Sequence, residues 1–253
     1  MGSKFYILFG GLALILALGA GFGSIDYNWQ WYRVPDYFYS FDSNGFSRGL
    51  LLDGLVVTLK ISGLGLLLSM VLGLFSALAR LSPFPSLRFL AFAYVEIIRN
   101  TPLLVQIFVI YFVVSPVLGI PAFVSAVMAL GLFEGAYASE IIRSGIINVP
   151  KGQFEAAQSI GLSPKITYIK IIIPQMLHQT LPMLAGQSVS LIKDSALVST
   201  ISIYDLTMQG QKIVSETFLT FEIWFAVALC YLAVNACLSF LIRQFEIKMK
   251  FTH

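Results

Sequence analysis

Charge is scarce in this chain: Asp, Glu, Lys and Arg make up 11% of its 253 residues, against 57% hydrophobic. So little polar surface is far below what an ordinary soluble domain carries, and it leaves a membrane protein as the class. Cysteine is nearly absent, and the two present, Cys230 and Cys237, share one apolar run. That excludes a disulfide framework and a four-ligand metal site, so both read as small core hydrophobes. The two histidines, His178 and His253, have no metal-ligand spacing and are not read as catalytic. No G-x-x-x-x-G-K-[ST] loop, H-E-x-x-H or G-x-S-x-G occurs. The chain is therefore not expected to be an enzyme or to bind a cofactor, and no nucleic-acid partner is expected.

What the chain does have is a series of apolar runs of membrane-crossing length. Residues 5–23 are uncharged and longer than the core of a cleaved signal peptide, which favours a retained first helix. Residues 24–49 carry Trp29, Trp31, Tyr32, Tyr37 and Tyr39 and read as an external loop near the interface, where such rings collect. Further crossings are expected at 50–79, 103–119, 122–142, 176–200 and 222–242, with 201–221 a second external segment. The third begins as an apolar segment at 87–98 and restarts at Thr101-Pro102, with Thr101 as cap. The expected fold is all-α with about six transmembrane helices, divided into 1–49, a permeation unit at 50–245, and a tail at 246–253.

The placement of Lys and Arg orients these helices. Lys4, Arg80, Arg88, Arg99, Arg143, Lys151, Lys165, Lys170, Arg243, Lys248 and Lys250 fall on one side, and Arg33, Arg48 and Lys212 on the other. The positive-inside rule makes the first side, with both termini, cytoplasmic.

On that side lies a polar island, 144–174, whose second half reads EAAQSIGLSPKITYIKIIIP from Glu155 to Pro174. Pro150 can open a helix that Gly161 ends in a left-handed conformation, and Ser163-Pro164 can cap and start a second. Glu155 near the helix start suits the dipole, and Ala156 and Ala157 are expected to face outward, where a partner backbone could approach. An interfacial hairpin without a partner is the competing reading of the loop chemistry alone.

The spacing of Glu155, Ala156, Ala157, Gly161 and Pro174, with Ile171 and Ile173 between, resembles the EAA loop of permease subunits of ATP-binding-cassette importers. Ile173 replaces the usual Leu, a swap of similar volume. VEIIRNTPLLVQIFVIYF (95–112), GAYASEIIRSGIINVPKGQFEAAQSIG (135–161) and SLIKDSALVSTISIYDL (190–206) look like segments of permeases of the polar amino acid uptake group. The resemblance covers about residues 50–245. It implies a five-helix core preceded here by one extra helix, in the bacterial inner membrane. It also implies a second permease copy or paralogue, two cytoplasmic ATPases carrying the ATP and Mg, and a periplasmic amino-acid-binding protein. Glu155, Ala156, Ala157, Gly161 and Pro164 would then form the ATPase-docking coupling helix and its turn.

Ionisable residues inside a crossing are costly and are candidate sites. Gln187, Ser190 and Asp194 recur at intervals of three and four, with Lys193 and Ser195 beside them, so one polar stripe could line a substrate path. Asp194 would face an ammonium group; alternatively Lys193 and Asp194 pair near the interface. Glu134 is the second candidate for the substrate amino group, with hydrogen bonding to a neighbouring helix as the plainer reading. Glu140 and Arg143 read as a helix-end ion pair. An ion-gradient-driven secondary transporter is the alternative function, but no internal repeat is visible. Polar amino acids are the substrate class, with a lean toward acidic or amide side chains.

Overall fold

In the computed structural model the described residues are 27–42 and 45–250. The expected helix at 5–23 lies outside them. Among the described residues eight helices make up the fold: α1 (Leu50–Arg80), α2 (Pro85–Arg99), α3 (Leu103–Leu118), α4 (Ala122–Ile147), α5 (Lys151–Ser159), α6 (Ile173–Asp194, entered through a helical turn at Pro164–Thr167 and a wider turn at Tyr168–Ile172), α7 (Leu206–Thr217) and α8 (Thr220–Lys250). The stretch expected to be an aromatic loop is partly structured. A 3-10 turn at Trp31–Tyr37 precedes an antiparallel hairpin, β1 (Tyr39–Asp42) with β2 (Gly45–Arg48), in which Tyr39 pairs with Arg48. Arg48 Nε lies 3.4 Å from the Asp53 carboxylate and ties the hairpin to α1.

The centre of the fold is the α1–α4 pair. Gly54, Thr58, Ser62, Gly65, Ser69, Gly73 and Ser76 recur on α1 every three or four residues, and all are buried. Gly54 and Thr58 face the head of α7, whereas Gly65, Ser69, Gly73 and Ser76 meet α4 at Leu130, Gly135, Ala138 and Ser139. Small side chains let two backbones approach closely, which matters in lipid because burying apolar surface there gains little. A Cβ added at Gly73 would stand 2.7 Å from Ala138 Cβ. Deeper along the seam Ser139 Oγ donates to Ser76 Oγ at 3.0 Å. Around this pair, α2 packs on both helices, α6 on α4, and α7 on α1.

Large apolar side chains point the other way. Leu67, Phe75, Phe112, Val117 and Leu232 are among many exposed hydrophobics, as a lipid-facing surface requires. Three helices, α1, α4 and α8 to Phe245, are long and apolar enough to cross a membrane. The bent pair α2–α3 is a fourth candidate, and α6 has the length but not the composition. Of the five expected crossings that fall within the described residues, three pass by length and composition, and a fourth if the bent pair is one span.

The restart expected between 99 and 102 is present as a sharp bend, α2 and α3 meeting at 109°, but the expected cap is corrected. Pro102 rather than Thr101 occupies the cap position of α3, and Thr101 Oγ1 turns back to Ile97 O at 2.9 Å. Gln106 Nε2 fixes the bend by donating to Ile98 O and Thr101 Oγ1, each at 2.7 Å. The segment 201–221, expected to be external, holds the helix α7. Asp205 caps α7 by accepting from Met208 N at 2.8 Å, and Leu206, Gln209, Gly210 and Ile213 are buried. Glu222, fully buried at the head of α8, accepts from Tyr27 OH at 2.6 Å and Gln30 N at 2.7 Å, clipping the start of the described chain to α8.

If the α1–α4 seam is set by side-chain size, Gly73→Val should destabilise the fold by about 1–3 kcal/mol, as overpacking does. Gly63, on the same helix with open space around it, should accept valine with little effect. Unfolding midpoints of the two variants in detergent measure the contrast.

Candidate functional site

The bend that follows α4 is a built object. Pro150 takes extended ψ at the cap of α5, and the helix runs to Ser159. Gly161 adopts φ 75°, a left-handed position that glycine fills without Cβ strain. Gly161 N then donates to Gln158 O and Leu162 N to Ala157 O, both at 3.0 Å, the paired bonds that close a helix C-terminus. Ser163 is extended and Pro164 opens the next helical turn, though no Ser163 side-chain cap bond forms. The Phe154 and Tyr168 rings meet edge to face, centroids 5.8 Å apart, and fasten the two arms of the bend together. Between the arms lies a hollow of about 400 Å³ lined by Phe154, Gln158, Leu162, Pro164, Thr167 and Tyr168.

Burial divides the residues that the sequence grouped. Glu155, Ala156, Gly161 and Pro164 are exposed. Ala157 is 1% exposed, so only one of the two alanines faces outward. The reason is helical geometry: consecutive positions are turned about 100° apart, so when one faces solvent its neighbour need not. Glu155 also lies in the second turn of α5, not the first, and no acidic residue occupies the first turn. Its carboxylate is therefore beyond the reach of the helix dipole.

The second constellation is inside. Glu134 on α4 is 3% exposed and accepts a hydrogen bond from Gln187 Nε2 on α6 at 3.2 Å. The structure thus supplies the partner that the sequence around Glu134 lacks. Asp194 ends α6, where the chain tightens into a 3-10 turn at Ser195–Ile201. Ser190 is partly exposed on the same helix. Ser195, by contrast, is fully buried and donates to Ile192 O at 2.8 Å, so its hydroxyl serves its own helix and not a path. Among the described residues no salt bridge joins Lys193 to Asp194. Glu134 and Gln187 are therefore the two candidates that the structure brings together.

One polar cluster was underestimated. Glu140 does bond Arg143, but it also accepts from Arg80 of α1, and Arg99 of α2 lies 3.9 Å away. A single carboxylate gathers arginines from three helices. The only trace in the sequence was the basic bias around residues 80–99, and charge bias does not say which residues meet.

These geometries belong to a chain with well-defined relatives. Residues 69–251 match the family described as binding-protein-dependent transport system inner membrane component. The glutamine transport system permease protein GlnP of Escherichia coli strain K12 is 39% identical over 204 residues, 79% of this chain and 93% of that protein. The L-cystine transport system permease protein TcyB of Bacillus subtilis strain 168 is 41% identical over 165 residues, 65% of this chain and 70% of that one. Among solved structures, a chain of an amino acid ABC transporter crystallised with histidines matches with TM-score 0.74 at 39% identity, covering 79% and 94% of the two chains. A chain of the inward-facing MetNI methionine ABC transporter shares the fold, with TM-score 0.68 at 17% identity over 79% and 95%.

Removing the amide that serves Glu134 should be costly: Gln187→Leu leaves a buried carboxyl unpartnered, about 1–3 kcal/mol. Glu134→Gln keeps a hydrogen-bonding group of the same shape and should cost less. A denaturant titration comparing the two variants distinguishes this order from its reverse.

Proposed function

We infer the working of this chain from one premise: it belongs to the family of binding-protein-dependent transport system inner membrane components. It is the permease subunit of an ATP-binding-cassette importer for amino acids, and a multi-pass protein of the inner membrane. From there the reading is ours. The observation that carries it is the exposed face of Glu155 and Ala156 on a short helix whose exit is fixed by Gly161. A rigid knob with one small exposed residue is the shape needed to seat in a hollow of another protein.

We propose that this knob docks a cytoplasmic ATPase. Two permease subunits, identical or paralogous, would present two knobs to two ATPases, with ATP and Mg bound by those partners and a periplasmic binding protein delivering substrate. Both termini would be cytoplasmic. Closure of the ATPases would draw the knobs together. The pull would reach the membrane through the continuous helix from Ile173 to Asp194, whose far end carries Asp194 and whose middle carries Gln187. Glu134, Gln187 and Asp194 would then line the path and meet the substrate ammonium, a cation suited to two nearby carboxylates. Polar amino acids are the proposed cargo. The amide of glutamine is the first to test, because GlnP of Escherichia coli is named for it.

Ala156→Trp should reduce ATPase copurification and ATP-dependent uptake about tenfold or more while leaving the unfolding midpoint unchanged, since a bulky ring at a close-packed contact costs upward of about 1.4 kcal/mol. Ala157→Trp should instead lower the midpoint, because that side chain is buried. Wild-type copurification and uptake by the Ala156 variant would overturn the docking assignment. Uptake into proteoliposomes in the presence of ATP and the ATPase, and none with an ion gradient alone, separates the importer from a secondary transporter.

A further inference from the structure

We propose that the pocket between the α1–α2 turn and α4 binds the headgroup of an anionic phospholipid. The pocket has a volume of about 430 Å³ and is lined by Arg80, Pro85, Arg88, Phe89, Phe92 and Arg143. Its wall is unlike the rest of the surface: three guanidinium groups from three helical elements converge on one hollow, and no carboxylate lines it. Glu140 sits behind the wall and holds Arg80 and Arg143 by hydrogen bonds. Arg99 approaches the same Glu140 oxygen that Arg80 bonds. Three arginines therefore surround one carboxylate. Glu96, the nearest other acid on α2, is engaged with Asn100 at 3.1 Å and does not line the pocket. Arg88 has no acidic partner among the described residues.

Two further observations fit a phosphate on a lipid. Arg143 Nε is buried without a hydrogen-bond partner, a donor left over after Nη2 serves Glu140. Arg80 lies over the Phe92 ring, 5.8 Å from its centroid, so its plane is held by both charge and stacking. Guanidinium groups fixed in this way suit a phosphodiester, whose oxygens accept paired N–H bonds. Outside the pocket the surface changes at once to bare hydrocarbon: Phe84, Phe89 and Leu90 are between 62% and 68% exposed. A soluble phosphate would leave that surface uncovered. A phospholipid covers it with its acyl chains, and anionic headgroups are drawn to clustered arginine near the bilayer surface. The site does not depend on how the bend docks, because it uses neither α5 nor the Glu134 seam.

The test uses the full chain, purified with whatever subunits remain bound. Native mass spectrometry after exchange into phosphatidylcholine with added phosphatidylglycerol should show phosphatidylglycerol retained by the wild type and by Arg88→Lys. Arg88→Gln should lower retention about fivefold, the loss expected for one basic side chain. Arg88 is exposed and unpaired, so this variant should fold where Arg80→Gln, which strips Glu140 of a partner, would not serve. A photoreactive benzoylphenylalanine in place of Phe89 should yield a phospholipid adduct. Equal retention of the two lipids, unchanged retention in Arg88→Gln, or an adduct to a polypeptide covering the pocket would each overturn the assignment.

Discussion

The close approach of α1 and α4 is the constraint on which the remaining structure rests. A bilayer offers helices no gain from burying leucine against leucine, so the pair is held by contact of backbone with backbone. The small residues from Gly65 to Ser76 make that contact possible, and the Ser76–Ser139 hydrogen bond joins two hydroxyls that lipid would leave unpaired. The helices α2, α6 and α7 are tied to this pair. Tyr94 OH of α2 reaches Leu132 O on α4 at 2.7 Å, and Leu206 N at the head of α7 donates to Thr58 of α1 at 3.1 Å. At Gly145 α4 passes so near Thr180 of α6 that no Cβ would fit. The geometry that brings Glu134 to Gln187 is a consequence of this packing.

The long apolar runs were legible because a helix in hydrocarbon satisfies its own backbone, so length and composition suffice to find it. The exit of α5 was legible too, since Gly161 is a local signal for a left-handed residue, and the structure has it at φ 75°. What escaped was decided by contacts between distant segments. Nothing in Asn100-Thr101-Pro102 states an angle of 109°; Gln106, reaching back eight residues to Ile98 O, helps set it. Ala156 and Ala157 are identical in sequence, and only the packing of the bend separates them. Asp205 is a helix cap of a readable type, but the burial of α7 against α1 and α8 is set by contacts between distant segments.

Polar groups divide into two populations with different physical duties. Ser195, Thr180 and Ser188 spend their hydroxyls on carbonyls of their own helix and impose no relation between helices. Glu134 with Gln187, Glu140 with its arginines, and Asp205 with Tyr231 at 3.4 Å join separate helices. A stripe read from periodicity alone mixes the two: Ser195 bonds to its own chain three residues back, while Gln187 reaches across to another helix.

The clip at Glu222 makes a lever of α8. Tyr27 and Gln30 anchor the first turn of the helix, while the remaining length has little protein around it, only 11% of its apolar window being buried. With 31 residues it is roughly 46 Å long, and pivoting about its fixed head by about 5° would swing the Lys250 end by roughly 4 Å. Small adjustments near residue 222 are thereby magnified at the opposite end of the molecule.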